Sequence, residues 1–178
     1  MTVTIRDARA DDALCLGVLG TQVFLDTYAT HGIRPALARE VLSAFSTAAM
    51  ATLIGQTLVA PALVRVRLAE FDGHLIGFAV LKLGQGHDSL VSAAPAELDK
   101  LYVQEAFTGL GVGSALLHDA EMLARASGAS DLWLTPWSGN LRALQFYRGQ
   151  GYQDHGLTWF RFEGEAHANR VFSRPLAG

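Results

Sequence analysis

The stretch Phe-Thr-Gly-Leu-Gly-Val-Gly-Ser-Ala-Leu-Leu, with glycines at 109, 111 and 113, constrains the fold more than any other part of the chain. It lies between an alternating segment ending near Val103 and a helical segment starting near Val112, so a strand must turn through glycine into a helix. Glycine permits positive φ, and its missing side chain lets a ligand come close to the backbone. The amides of residues 109–114 can converge on one concavity, and the positive end of the helix dipole adds to them. Such a place suits a phosphate or pyrophosphate. A turn that served only tight helix packing would need one glycine, not three at alternate positions.

Patterning around this stretch fills in the rest. Residues 3–7 read as a short strand, and 10–32 as a helix that Asp11 or Asp12 caps, with Leu14, Val18, Leu25 and Tyr28 on one face. Pro35 opens a second helix to Phe45, and Ser46 or Thr47 starts a third, shorter one over 46–58. The period then changes from helical to alternating. Val64, Val66 and Leu68 face one way and Arg65 and Arg67 the other, and Asp72-Gly73 marks a two-residue hairpin into a strand over 74–83. A Gly/Ser loop over 84–94, a strand over 96–103, the glycine stretch and a helix to about Ser127 follow. The chain ends with a strand over 131–137, a helix over 140–150, and two strands around a Glu163-Gly164 turn. The order β-α-α-β-β-β-α-β-α-β-β describes an α/β chain with a mixed sheet of six to seven strands and a βαβ unit at its centre.

Composition narrows the function classes. Half of the 178 residues are hydrophobic and 17% are charged, which is the balance of one well-buried domain spanning 1–178. A net charge of −3 argues against a nucleic-acid surface and is compatible with a cationic substrate. Cys15 is the single cysteine, so no internal disulfide forms and a reducing, cytoplasmic setting is expected. Its place in an apolar helical pattern reads as a core thiol rather than a nucleophile. The N-terminal MTVTIRDARADD carries no apolar h-region, and no apolar run approaches the ~20 residues of a membrane span. The histidines at 31, 74, 87, 118, 155 and 167 show no paired ligand spacing, so no metal is expected, and His118 reads as a surface residue.

Which phosphate ligand does the turn suit? A P-loop needs Gly-Lys-Ser/Thr, and here Gly113 is followed by Ser114 and Ala115. A dinucleotide fold wants Gly-x-Gly-x-x-Gly and an acid ending the next strand; here the third glycine comes one residue early, and Asp131 begins that strand. The flanks decide. The run ELDKLYVQEAFTGLGVGSALL, 97–117, is similar to the acetyl-CoA-binding motif of the GCN5-related N-acetyltransferases (the GNAT superfamily). The later run NLRALQFYRGQGYQ, 140–153, resembles that family's Asn-x-x-Ala-x-x-Phe-Tyr-x-x-x-Gly-Tyr/Phe element. The likeness covers about residues 60–175, while residues 1–58 match in layout, where the family varies with its acceptor. The family's usual Arg or Gln ahead of the Gly-x-Gly pair is Thr108 here, which bears on cofactor affinity. LDTYATH and ANRVFSRPL resemble a bacterial subgroup that includes polyamine N-acetyltransferases.

The resemblance implies a GNAT fold with acetyl-CoA as co-substrate, and an amine attacking its thioester. Its pyrophosphate would lie on the amides of Thr108, Gly109, Leu110, Gly111, Val112, Gly113 and Ser114. Leu101 and Val103 would flank the pantetheine arm through their backbone, and the Tyr102 amide would face the thioester carbonyl. Asn140, with Ala143 on the same helix, would meet the pantetheine region. Asn140 and Tyr147 are two helical turns apart, roughly 10 Å along the axis, on nearly the same face. Tyr147 would be the general acid for the leaving thiolate. The base stays open among Glu97, its strand-mate Asp99 and a water chain. Asp26, Tyr28 and His31 are candidate acceptor-site groups on the 1–58 segment, with 59–178 as the acetyl-CoA-binding core. The resemblance also allows a homodimer. The acceptor would be a small polyamine-like amine; a protein amine, a non-catalytic acyl-CoA sensor and a nucleotide-dependent oxidoreductase stand as alternatives.

Overall fold

The computed structural model of the chain describes residues 2–162 and 165–176, so the Glu163-Gly164 turn lies outside the described residues. Seven strands form one mixed, mostly antiparallel sheet in the order β1-β2-β3-β4-β5-β7-β6. Three helices separate the first two strands, as the reading of residues 10–58 expects, one more than its abbreviated order carries. Two compact units are distinguished, Met1–Leu81 with Lys100–Ala120, and Lys82–Asp99 with Glu121–Gly178.

In the first unit, β1 (Thr4–Asp7) pairs antiparallel with β2 (Val64–Phe71), which turns into β3 (His74–Leu83). The turn holds Asp72 at φ +51° and Gly73 at φ +73°, the two positive values that a type I′ hairpin requires. Val66 and Leu68 are buried as the alternation predicts. On the other face, Arg67 donates to Asp119 at 2.7 and 3.0 Å and pairs with Asp7 at 2.8 Å, tying β1 and β2 to α4 (Val112–Ala126).

Helices α1 (Ala13–Tyr28), α2 (Pro35–Ala44) and α3 (Thr47–Gln56) cover this part of the sheet, and their core joins Leu16, Leu19, Val41, Phe45, Met50 and Ile54 to Val66, Leu68, Phe78 and Val80. Ser46 caps α3 by accepting from the Ala49 amide at 3.1 Å. The buried face of α1 differs from the expected one. Leu14 and Val18 are more than half exposed, as is usual on a solvent face, and Cys15 beside them is exposed rather than a core thiol. The helix instead buries Ala13, Leu16, Gly17 and Gly20, because a Cβ at Gly17 or Gly20 would collide with Phe45. Small residues bring α1 close to Phe45, and a count of large apolar residues does not see them. Asp12 stands at the N-cap of α1 without capping it. Its carboxylate is held by Arg6, at 2.7 Å to each oxygen, and accepts the Arg9 amide at 2.6 Å.

In the second unit, the start of β4 (Pro95–Val103) pairs in parallel with β5 (Asp131–Leu134) over Pro95–Glu97. With α4 between them in sequence, this is the expected βαβ unit. β5 is shorter than expected and stops before Pro136, which has no amide to donate; beyond it Trp137 forms an isolated bridge to Asn169. β5 also pairs with β7 (Glu165–Pro175), and β7 with β6 (Gln153–Phe162). The loop over 84–94 is tied to β5, where Trp133 Nε1 donates to the Gln85 carbonyl at 2.6 Å and His87 meets the indole edge-on.

Candidate functional site

The turn before α4 uses two of the three alternating glycines, while Gly113 falls inside α4 without a positive φ. Gly109 and Gly111 sit at φ +74° and +86°, a region that other residues enter at a cost of about 1–2 kcal/mol. A Cβ at either position would meet no protein atom within 4 Å. The glycines are therefore required by backbone conformation and leave open space beside it, rather than serving close packing. The α4 ladder begins with the Ala115 amide donating to the Gly111 carbonyl at 2.9 Å, so the Val112 and Gly113 amides precede it. Val112 itself is buried and anchors the turn, while Leu110 is exposed. Thr108 departs from the expectation. Its amide and hydroxyl both donate to the Glu105 carbonyl, at 3.1 and 2.8 Å, so they close a 3₁₀ turn over Glu105–Phe107 instead of joining the amides that follow.

The end of β4 packs closely on its neighbours. Gly77 on β3 is the reason, since a Cβ there would lie 2.8 Å from the Tyr102 carbonyl and 3.2 Å from Leu116 of α4. The Tyr102 ring faces Phe78 and Phe45, at 5.2 and 6.0 Å between centroids. Leu101 and Val103 alternate with it along the strand and are half-buried. Two residues beyond Tyr102, Gln104 donates its side-chain amide to Gln22 on α1 at 3.2 Å, a contact that no motif signalled.

Of the acceptor-site candidates, Asp26 is exposed, whereas Tyr28, at the last position of α1, stacks on Phe24 at 4.5 Å. Burial raises the Tyr28 hydroxyl above its ordinary pKa. Residues two apart on a helix do not face each other, so these two do not converge. His31 lies beyond the helix, with Nδ1 3.0 Å from the Thr30 hydroxyl.

In the second unit, α5 (Leu141–Gly149) carries the remaining candidates. Asn140 is its N-cap, and its side chain accepts from the Ala143 amide at 3.0 Å, so it stands at the helix mouth rather than on the helical face. Ala143 is thereby committed to the cap. Tyr147 is 7% exposed, edge-on to Phe146 and Tyr152 and 6.3 Å from the Phe172 ring. Burial raises its hydroxyl pKa well above the ordinary value, so the phenol stays protonated. Tyr152, the next aromatic, is bound differently. It donates to the buried Glu121 at 2.9 Å, and Glu121 also accepts from Arg174 at 3.1 Å. The carboxylates on β4 separate as well. Asp99 is ion-paired to Lys82 at 2.7 Å, while Glu97 sits in the parallel ladder opposite Trp133. Lys82 was invisible as a partner in the sequence, though it is the one charge in the apolar run of β3. His118 is exposed, as expected. Among the described residues no group of three His, Cys, Asp or Glu could hold a metal ion, and no single helix is long and apolar enough to cross a membrane.

With this geometry in view, the chain can be set beside known proteins. The profile of the acetyltransferase (GNAT) family matches residues 31–152. An uncharacterized N-acetyltransferase of Mycobacterium bovis is 30% identical over 142 residues, which is 80% of this chain and 86% of that protein. The spermine/spermidine N(1)-acetyltransferase of Bacillus subtilis is 27% identical over 94 residues, 52% of this chain and 62% of that protein. The fold matches that of the PaiA N-acetyltransferase of Thermoplasma acidophilum, crystallised with coenzyme A, at a TM-score of 0.75 and 20% identity, covering 98% of this chain and 99% of that one. The chain is an acyltransferase and belongs to the acetyltransferase (GNAT) family.

Proposed function

We propose that the protein transfers the acetyl group of acetyl-CoA to the primary amine of a small, polyamine-like molecule, by direct attack in a ternary complex. The observation that carries this reading is the turn at Gly109 and Gly111, whose positive φ values leave open space beside backbone amides at the start of α4. Acetyl-CoA, when bound, supplies an activated acetyl thioester. The residues of the chain do the rest. The amides from Gly109 to Ser114 hold the pyrophosphate, with less help from Thr108 than its position suggests. The backbone of Leu101 and Val103 and the Asn140 side-chain amide hold the pantetheine arm, and the Tyr102 amide donates to the carbonyl oxygen where negative charge builds up. Tyr147 delivers its hydroxyl proton to the leaving sulfur.

Glu97, Asp99 and a water chain are the candidates for taking the proton of the ammonium, and of these the Asp99 carboxylate is ion-paired to Lys82. Residues 1–58 supply acceptor contacts, with Asp26, Tyr28 and His31 as the candidate groups. The polyamine-like acceptor is supported by the Bacillus subtilis relative, which is named for spermine and spermidine. A net charge of −3 is compatible with a cationic acceptor.

A panel of amines tests the reading, with free thiol released from acetyl-CoA as the signal. Spermidine is expected to give saturable release, and lysine and a peptide α-amine slower release. A second reading, an acyl-CoA-binding module without turnover, draws on Thr108, whose polar groups are spent on Glu105. Stabilisation by acetyl-CoA in thermal unfolding without thiol release from any amine selects that reading.

A further inference from the structure

Strand β6 is the outermost strand of the sheet, beyond β7. Its register on β7 shifts between Asp154, opposite Phe172, and Leu157, opposite Arg170, with Gly156 at φ +106° inside the bulge. Arg170 and Phe172 share a face of β7, so the bulge places Leu157 and Trp159 on that face too, while Phe160 points to the opposite one. The ion pair of Arg170 with Asp154, at 2.7 Å, follows the same geometry. Leu157 is 56% exposed, Trp159 62% and Phe160 55%. An outer strand presents a row of backbone donors and acceptors, and proteins usually blunt it with proline, lysine or a bulge in its middle. Residues 153–162 contain no proline and no lysine, and the bulge precedes the apolar run instead of interrupting it.

The distribution of these side chains decides what can cover them. A helix or loop laid on one face would bury Leu157 and Trp159, or Phe160, but not all three. A strand added in the plane of the sheet flanks both faces at once. The added strand must itself carry large apolar side chains on both faces, and β6 is such a strand. We propose that β6 pairs antiparallel with β6 of a second copy of this chain about a two-fold axis at Trp159, joining two sheets into one. In this register Trp159 meets its own copy, Thr158 lies opposite the second copy's Phe160, and Leu157 lies along the aliphatic stem of the second copy's Arg161. A register centred on Arg161 would set two guanidinium groups against each other, which cross-strand pairing disfavours. Each half-exposed apolar side chain contributes on the order of 100 Å². The three together supply over a third of the ~800 Å² per partner of a stable interface, so the strand backbone and its flanks must supply the rest.

Sedimentation velocity of the full chain from about 1 to 100 μM tests the proposal. The wild type is expected at twice its 19.1 kDa chain mass. Trp159→Glu and Phe160→Lys, on opposite faces of the strand, are each expected to weaken dimerisation at least about thirtyfold, as loss of a central aromatic anchor does. Circular dichroism checks that both variants keep the native fold. Trp159→Cys in a Cys15→Ser background reports the register without relying on the weakened variants. It is expected to form a disulfide-linked dimer on mild oxidation, whereas Leu157→Cys in the same background is not, since residue 157 lies opposite residue 161. A wild type at 19.1 kDa throughout the range overturns the proposal. So does dissociation by only one of the two charged variants, which would mean that a single face is covered, or cross-linking at 157 but not at 159.

Discussion

In the turn before α4, two glycines at φ +74° and +86° set backbone amides beside open space. In α5 the arrangement is reversed. The helical backbone is ordinary, and a single side chain, Tyr147, is held at 7% exposure by Phe146, Tyr152 and Phe172. On the proposed reading the first region would hold a ligand through conformation and so answer to changes in φ, while the second would offer a proton through one oxygen atom and so answer to removal of that atom. If the two play the proposed parts, their variants must fail in different kinetic parameters.

The largest effect is expected at Tyr147→Phe. The ring contacts survive and only the hydroxyl goes, so kcat should fall by about 10²-fold or more, the usual worth of a general acid, while the KM for acetyl-CoA stays near the wild-type value. Steady-state kinetics with spermidine and acetyl-CoA measure both. A rise in KM with kcat preserved would place Tyr147 with the binding groups and erase the contrast with the turn.

Glu97→Gln comes next, with an expected loss of roughly tenfold or more in kcat/KM for the amine and a flattened acid limb in the pH profile. Asp99→Asn serves as its control. Asp99 is spent on Lys82, so its removal should change turnover by less than about threefold. An unchanged pH profile in both variants would mean that neither carboxylate takes the proton and that a water chain does.

Gly111→Val turns the comparison round. A β-branched residue at φ +86° should cost about 1–2 kcal/mol of stability and weaken acetyl-CoA binding roughly tenfold, with kcat at saturation within about twofold of wild type. Isothermal titration and thermal unfolding separate the two losses. If the affinity were unchanged, the open space beside the turn would not be where the pyrophosphate lies.

The two regions also differ in how far the sequence revealed them. Glycine at alternate positions between a strand and a helix is a statement about backbone, and backbone demands are local, so 109–113 could be read directly. Asp72-Gly73 and Ser46 were legible for the same reason. What escaped depended on partners distant in the chain. Gly17 and Gly20 are interior positions only because Phe45 comes to rest on them, and that turned α1 about its axis relative to a reading based on Leu14 and Val18. Asp12 lost its capping role to Arg6, Asp99 gained Lys82, and Thr108 turned back to Glu105. In each case a polar group took the nearest strong partner in space, and the sequence shows such partners only when they are also neighbours in the chain. Asn140 was placed correctly beside α5 but one position too far inside it, because an N-cap and a first helical residue look alike until the side chain is seen accepting the Ala143 amide.

The smallest expected effect concerns Asp154, at the base of the β6 bulge and within reach of α5. Burial alone would raise its pKa, but hydrogen bonds from Arg170, from the Gly156 amide and from Arg148 outweigh it and bring the carboxyl down to about 2. A carboxyl whose pKa is lower folded than unfolded stabilises the fold fully above its unfolded value, near 3.8, and the contribution is lost as pH falls toward the folded value. The window therefore runs from about pH 4 down to about pH 2. Arg148 is 53% exposed, so solvent screens its share, and about 1 kcal/mol is the expected size. Asp154→Asn keeps the shape of the group and removes the charge. Denaturant unfolding should show the wild type more stable by that amount at pH 6, and the difference should vanish near pH 2. Arg148 is also the link from this carboxylate to α5, one residue from Tyr147, so the variant separates two kinds of support for the tyrosine. If aromatic packing alone holds the ring, kcat at pH 7 is unchanged in Asp154→Asn. A fall of more than about threefold would mean that the ion pair on the solvent side helps to position it.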